Sequence, residues 1–280
     1  MTGQKTGAEA VCWDLSVMYS GVDDPQIDAD VVKLAEMMKA FNVAHKGKLA
    51  ETLGQAVLDY TEIIMLKNKI EYLFLIQSTD VTSAAVKAKI AQVERILSDA
   101  DGEYLTFFNL ELVALDDETL GRLYDSDEIV AKHKTWIEQA RVFKPHVLSE
   151  PVEAALSKRS SFGPGAWSEF FDELSSDLRF SYRGGEKSLT EMLHIVSESK
   201  DAEERAEAMR IVNAGFSGSY AKYSAQNLYI VTGLGEVENK ERGFKHPMDS
   251  RNKSNRIPDS IVEILHNAVR EVAAPLARRL

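Results

Sequence analysis

Between Asp28 and Leu178 the apolar residues recur every three or four positions, the spacing that gathers them on one stripe of an α-helix. Asp23-Asp24-Pro25 opens the first such segment with acids at the positive end of the helix dipole. Asp28–Val43 then reads as an amphipathic helix. Lys48–Ser78 carries Ile63, Ile70, Leu73, Phe74 and Gln77 at helical steps and predicts one helix about 45 Å long. Ser83–Leu115 has Val86, Ile90, Val93 and Leu97 on a single stripe. Asp116–Tyr124 is a short helix. Ile129, His133, Trp136, Ile137 and Ala140 form another stripe, ended by Lys144-Pro145. Two shorter helices, Glu150–Lys158 and Ala166–Leu178, are separated by Gly163-Pro164-Gly165.

The period changes to two at Leu178–Arg183, where Leu178, Phe180 and Tyr182 alternate with Arg179, Ser181 and Arg183. Gly184-Gly185 follows, so a small hairpin is expected. Ser188 and Glu191 are spaced as a capping box opening the next helix. Lys200-Asp201 separates that helix from a longer one with Met209, Val212, Phe216, Tyr220, Tyr223 and Ile230 on one face. Gly243–Pro258 reads as a polar loop. Ser260 and Glu263 read as a capping box for a final helix, Asp259–Leu280. At the other end, Met1–Ala10 reads as a disordered tail, and Cys12–Pro25 as an extended anchor with Trp13, Leu15 and Tyr19 as its apolar residues. The fold class is therefore all-α with one small β-hairpin near 178–189.

Composition narrows the function classes. The 280 residues, 44% hydrophobic and 28% charged, suit a globular protein with a substantial core. A net charge of −11 argues against nucleic acid as a partner, since phosphate binding is dominated by Lys and Arg. Tyr60–Ile76 is interrupted by Glu62, Lys67, Asn68, Lys69 and Glu71 and is not a membrane span, so no membrane partner is expected. The single Cys12 precludes an internal disulfide and fits a reducing compartment. With no apolar leader in Met1–Ala10, a cytoplasmic location is expected.

The candidate chemistry is thin. Glu191/His194 and Glu263/His266 have the Glu-x-x-His spacing that binds paired iron or manganese inside helical bundles. Both pairs fall opposite the apolar stripes of their helices, so solvated faces are expected. His133 lies within an apolar stripe and reads as a core histidine bonded to one partner rather than a ligand. Gly233-Leu234-Gly235 lacks the third glycine and preceding strand of a dinucleotide loop, and reads as a helix cap or break. Lys240, Arg242, Lys245, His246, Arg251, Lys253 and Arg256 form a basic run. That run either holds an anionic group such as a peptide C-terminus or is a solvated loop whose Arg and Asn cap neighbouring helices. Cys12 has no charge pattern to activate it. No catalytic or metal residue is assigned, and no substrate-binding residue can be named.

Several phrases nevertheless resemble one family. Trp13-Asp14-Leu15-Ser16, Tyr19 and Asp23-Asp24-Pro25 look like the opening of oligoendopeptidase F proteins, zinc metallopeptidases of the thimet-oligopeptidase-like group. Phe180–Glu191 is similar to the family's short hairpin, and Lys200–Arg210 to the helix start that follows. Within Asn239–Pro258, Arg242-Gly243-Phe244, Pro247, Arg251 and Asn255 fit the family in order, and Asp259–Val272 resembles its next helix. The resemblance implies a cytoplasmic zinc endopeptidase that cuts short peptides in a channel between two mostly helical halves. It implies an N-terminal helical region at 1–112, an oligopeptidase F N-terminal-like domain at 113–199, and the start of an incomplete catalytic domain at 200–280.

The chain departs from that family at the essential point. H-E-x-x-H occurs nowhere, and no His is followed by another at i+4. The resemblance therefore implies a non-catalytic channel wall. Zinc would belong to the full-length parent, with none expected on this chain, which would be inactive alone. The last residues, Ala274–Leu280, run helically without a capping Gly or Asn, as expected of an artificial end. The alternative is a stand-alone helical scaffold decayed from a peptidase, which predicts no large exposed apolar patch.

Overall fold

A computed structural model of the chain describes residues 14–79, 81 and 83–278. The readings made for Met1–Ala10, Cys12, Trp13 and the final two residues lie outside them. The described residues form helices with one two-stranded antiparallel sheet, as the periodicities predict.

The first helices are α1 (Pro25–His45), α2 (Leu49–Ile70), α3 (Tyr72–Thr79), α4 (Ala84–Ala100), α5 (Thr106–Ala114), α6 (Asp117–Ser126), α7 (Glu128–Lys132) and α8 (Lys134–Arg141). They share one core containing Ile27, Leu34, Met38, Phe41, Leu53, Ile63, Phe107 and Ile137. Each such side chain contributes about 1.5–3 kcal/mol by burial. Their starts are local chemistry: Asp24, Ser83 and Asp116 accept backbone N–H groups of the first turns of α1, α4 and α6. Tyr19 anchors the entering chain. Its hydroxyl donates to Asp30 at 2.8 Å, its ring meets Tyr72, and Lys69 lies over it while bonding Asp30 at 2.7 Å.

Two long predicted helices are interrupted, each for a packing reason. Lys48–Ser78 breaks at Glu71, whose N–H is shared by the Lys67 and Lys69 carbonyls. The tightened turn lets Ile70, Tyr72 and Leu73 all be buried, which one straight stripe forbids. Ser83–Leu115 contains a π-turn at Asp101–Leu105. There α9 (Glu150–Ser157) passes so close that a Cβ on Gly102 would lie 3.0 Å from the Ala154 carbonyl oxygen. The wider turn also permits Phe107 and Phe108 both to enter the core.

α10 (Pro164–Ser176) leads to the hairpin, β1 (Arg179–Tyr182) and β2 (Gly185–Ser188), in which Phe180 pairs with Lys187. Arg183 and Gly184 both have positive φ, 49° and 84°, as the tight two-residue turn requires. Phe180 and Tyr182 point into a second, smaller core with Met192, Ala208 and Val212. Those residues come from α11 (Leu189–Glu198), opened by the predicted Ser188/Glu191 capping box, and α12 (Ala202–Gly215).

The remaining elements are α13 (Ser219–Glu241), α14 (Asp249–Ser254) and α15 (Asp259–Ala277). Here several expectations are corrected. The long helix expected after Asp201 is two, because Gly218 turns the chain at φ 68°. Of its predicted face Val212 is buried, but Met209 and Tyr223 are exposed. Gly233 and Gly235 neither cap nor break α13; they lie inside it. The Gly243–Pro258 loop contains α14, because Asp249 and Asn252 find internal partners. Ser260 is not a cap: α15 starts at Asp259 after Pro258, with no side-chain cap.

Two glycines in helices should respond oppositely to alanine. A Cβ on Gly54 would lie 2.1 Å from Oδ2 of Asp127, whose Oδ1 caps α7. Gly54→Ala is expected to cost about 1–2 kcal/mol through the displaced cap. Gly233 has nothing near it, so Gly233→Ala should add about 0.5–1 kcal/mol. Urea unfolding midpoints check both signs.

Candidate functional site

The basic run becomes intelligible at its first arginine. α13 ends by the backbone pattern that follows from Gly243 at φ 68°, with Phe244 N–H donating to the Asn239 carbonyl at 2.9 Å. This turn sends Arg242 and Phe244 toward the segment between α8 and α9. The Arg242 guanidinium grips Glu153 of α9 with two bonds, Nη1 to Oε1 at 2.7 Å and Nη2 to Oε2 at 3.0 Å. Its Nε donates to Glu238 at 3.0 Å, and Nη1 also reaches the His146 carbonyl at 3.2 Å.

His146, buried, answers through its ring. Nδ1 donates to the Arg242 carbonyl at 2.8 Å, which sets the tautomer. The ring stacks on Phe244 with centroids 4.1 Å apart. Glu153 accepts the Leu148 N–H as well. Hydrogen bonding from Arg242, joined by Leu148 N–H and the guanidinium charge, holds the Glu153 carboxyl below the usual range against the opposing effect of burial. The same pairing raises Arg242. A cavity of about 370 Å³ adjoins the clamp, with Asn109, Phe143 and Asn239 on its wall.

A second knot lies one turn on. His246, Asp249 and Asp259 bring ligand-type atoms within 4.8 Å of one another. Each is already engaged by protein. Asp249, buried, pairs with Lys253 and accepts Lys245 N–H at 2.9 Å; these bonds lower its carboxyl. Asp259 accepts Asn252 at 2.8 Å and lies 3.1 Å from His246 Nε2, and these contacts lower it too. Gln139 of α8 donates to the Lys253 carbonyl at 2.7 Å, tying the knot to the first core. The basic run is thus largely committed to the chain's own acids, while Lys245, Arg251 and Arg256 are exposed. The arrangement is a structural clasp, not a preformed anion site.

The other candidates are simply placed. Glu191, His194, Glu263 and His266 are all exposed, the first two opposite the buried side of α11, the last two on a helix whose apolar stripe is exposed as well. His133 has the single partner expected, the Ile129 carbonyl at 2.8 Å. It is half-buried rather than core, because α7 ends there, and it borders a 210 Å³ pocket with Tyr60 and Trp136. The sequence reading missed Glu153 and His146. Nothing within four residues of either marks them; their partner is 89 and 96 positions away.

With this geometry in view, comparison with known proteins is direct. Residues 111–180 match the family described as oligopeptidase F. No curated protein matches the chain. The fold superposes on the crystal structure of oligoendopeptidase-F from Enterococcus faecium with a TM-score of 0.76 and 21% identity. That match covers 88% of this chain and 50% of the other. This chain resembles the oligoendopeptidase F family. A candidate peptidase from Chlamydophila abortus aligns at TM-score 0.59 and 17% identity, over 95% of this chain and 46% of that one. The chain spans about half the length of the oligoendopeptidase-F it matches. The oligopeptidase F match lies between the opening phrase at Trp13–Pro25 and the later phrases from Phe180 onward, and it contains His146 and Glu153 but not Arg242.

The clamp should contribute measurably to stability. Arg242→Ala is expected to cost about 2–4 kcal/mol, because it strands a largely buried carboxylate. The sign of the pH dependence follows from the lowered Glu153. Its contribution is complete above the ordinary glutamate value of 4.5 and disappears as pH falls through the lower folded value. Glu153→Gln should flatten that part of the acid unfolding curve, measured by circular dichroism; an unchanged curve would rule the clamp out as its source.

Proposed function

We propose that this chain is the N-terminal, channel-wall portion of a zinc metallo-endopeptidase of the oligoendopeptidase F kind, acting on short peptides. The observation that carries the reading is the likeness of 88% of the chain to half of the Enterococcus faecium protein. The oligopeptidase F match over residues 111–180 supports it, and the lack of H-E-x-x-H in these 280 residues is what makes the proposed portion a non-catalytic one. In this reading 1–112 and 113–199 form wall and N-terminal-like domain, and 200–280 opens the catalytic domain. The chain works in the cytoplasm and excludes folded proteins by the width of the channel it borders.

The residues present do not fit the family's zinc. Among the described residues the His246 cluster has one imidazole, not two a turn apart, and Lys253, Asn252 and the Lys245 N–H occupy its carboxylates. No chemical step is assigned to this chain. None of the described helices is long and apolar enough to cross a membrane.

The scaffold alternative requires a covered surface, and the exposed faces favour the wall. Ile261, Ile264, Leu265, Val269, Val272 and Leu276 of α15 are each more than half exposed, as are Leu228, Tyr229 and Val237 of α13. Such a surface suits a wall completed by a further half.

Two measurements test the reading. The purified chain should hydrolyse no internally quenched peptide, with or without added zinc; zinc-dependent turnover would overturn its non-catalytic role. It should bind a dye sensitive to apolar surface, and Ile264→Glu with Leu265→Glu should reduce the signal. A chain that leaves the dye dark belongs to the scaffold class instead.

A further inference from the structure

A groove runs between α3 and α4 on one side and α10 on the other. It encloses about 510 Å³, with Phe74, Val81 and Ile90 among its apolar walls. It adjoins a second cavity of about 230 Å³ that shares Phe74, Ile90 and Glu94, reaches Leu73 and Leu97, and carries one cation, Lys67, which pairs with Asp101. These volumes suit two or three side chains of an extended peptide.

The charge lining the larger cavity has one sign. Its charged lining residues are Glu94, Glu169, Asp172 and Glu173, with no Lys, Arg or His among them. Glu173 is neutralised from outside by Lys87, and Glu169 accepts a hydrogen bond from the uncharged Gln77 at 2.9 Å. Among the described residues no lysine or arginine pairs with Glu94 or Asp172. Burial, reinforced by the charge of Glu169, raises the Glu94 carboxyl above its ordinary range. A cation placed between the half-buried Glu94 and the exposed Glu169 relieves that repulsion.

We propose that this groove binds a cationic peptide segment, with a Lys or Arg side chain between Glu94 and Glu169 and an adjoining apolar side chain on Phe74 and Ile90. Charge complementarity selects the occupant: apolar walls alone accept many peptides, whereas the uncompensated carboxylates reject acidic ones. The inference stands apart from the peptidase reading, and a binding measurement lets either fail without the other.

The test is calorimetric titration of the 280-residue chain with acetyl-Leu-Arg-Leu-Lys-amide, against the same peptide with Gln in place of Arg and Lys. Saturable binding of the cationic peptide alone is expected. The double variant Glu94→Gln, Glu169→Gln should weaken it about tenfold or more, as for loss of a charge-assisted contact, with thermal unfolding still cooperative. Asp172→Asn provides a second, independent variant on the rim, also expected to weaken binding. Glu263→Gln, on the exposed surface of α15, should change nothing. Equal binding of the Gln peptide, full affinity in the double variant, an equal loss in Glu263→Gln, or no binding at all would each overturn the proposal.

Discussion

The forked bond between Arg242 and Glu153 fixes the end of α13 against α9, and the clasp beyond it builds on that contact. Two nitrogens meet two oxygens at 2.7 and 3.0 Å, and the arginine spends its remaining donors on Glu238 and the His146 carbonyl. A guanidinium suits this role because its planar fork fixes direction as well as distance. Direction matters here because it adds to the packing of α13 on α10, where Phe170 and Phe171 meet Tyr223 and Tyr220, Ser175 bonds Tyr220 and Asn227 bonds the Trp167 carbonyl. α14 joins the same body through Gln139, and the Asp249–Lys253 pair closes the clasp.

Behind the clamp the architecture is uneven by design of the sequence. The first eight helices surround a continuous aromatic and aliphatic core, where Phe41, Phe107, Phe108 and Tyr60 meet at centroid distances of 4.8–6.4 Å. The hairpin with α11 and α12 has only a small core of its own. Beyond these, α13 and α15 leave most of their apolar side chains in solvent. A soluble monomer rarely leaves such a stripe uncovered, and the stripe lies on the part of the chain that the resemblance assigns to an incomplete domain. The acidic groove between α4 and α10 is a different kind of surface, concave and charged, with the first core on its α4 side and the exposed face of α10 on the other.

Much of this could be read from the chain. The switch from period 3.6 to period two at Leu178 located the hairpin, and the Ser188/Glu191 spacing located the helix after it, because both signals are carried by residues within four positions of one another. The outward placement of Glu191 and His194 followed from the same geometry. The family phrases pointed to oligoendopeptidase F, although the matched region, 111–180, ends where the clearest hairpin phrase begins.

The sequence by itself determined the helical class, the hairpin, most helix starts and the absence of a zinc motif, since these depend on local periodicity, capping and residue identity. Tertiary structure decided the rest. Glu71 breaks a helix because Tyr72 must reach Tyr19, and Asp101–Leu105 widens into a π-turn because α9 crosses at Gly102. Of a run of basic residues read either as an anion site or as a solvated loop, Lys240, Arg242, His246 and Lys253 are held by acids 4 to 89 positions away. No local pattern encodes which carboxylate an arginine will meet. That choice is made only when the whole chain has closed and the charges left in low dielectric must find partners.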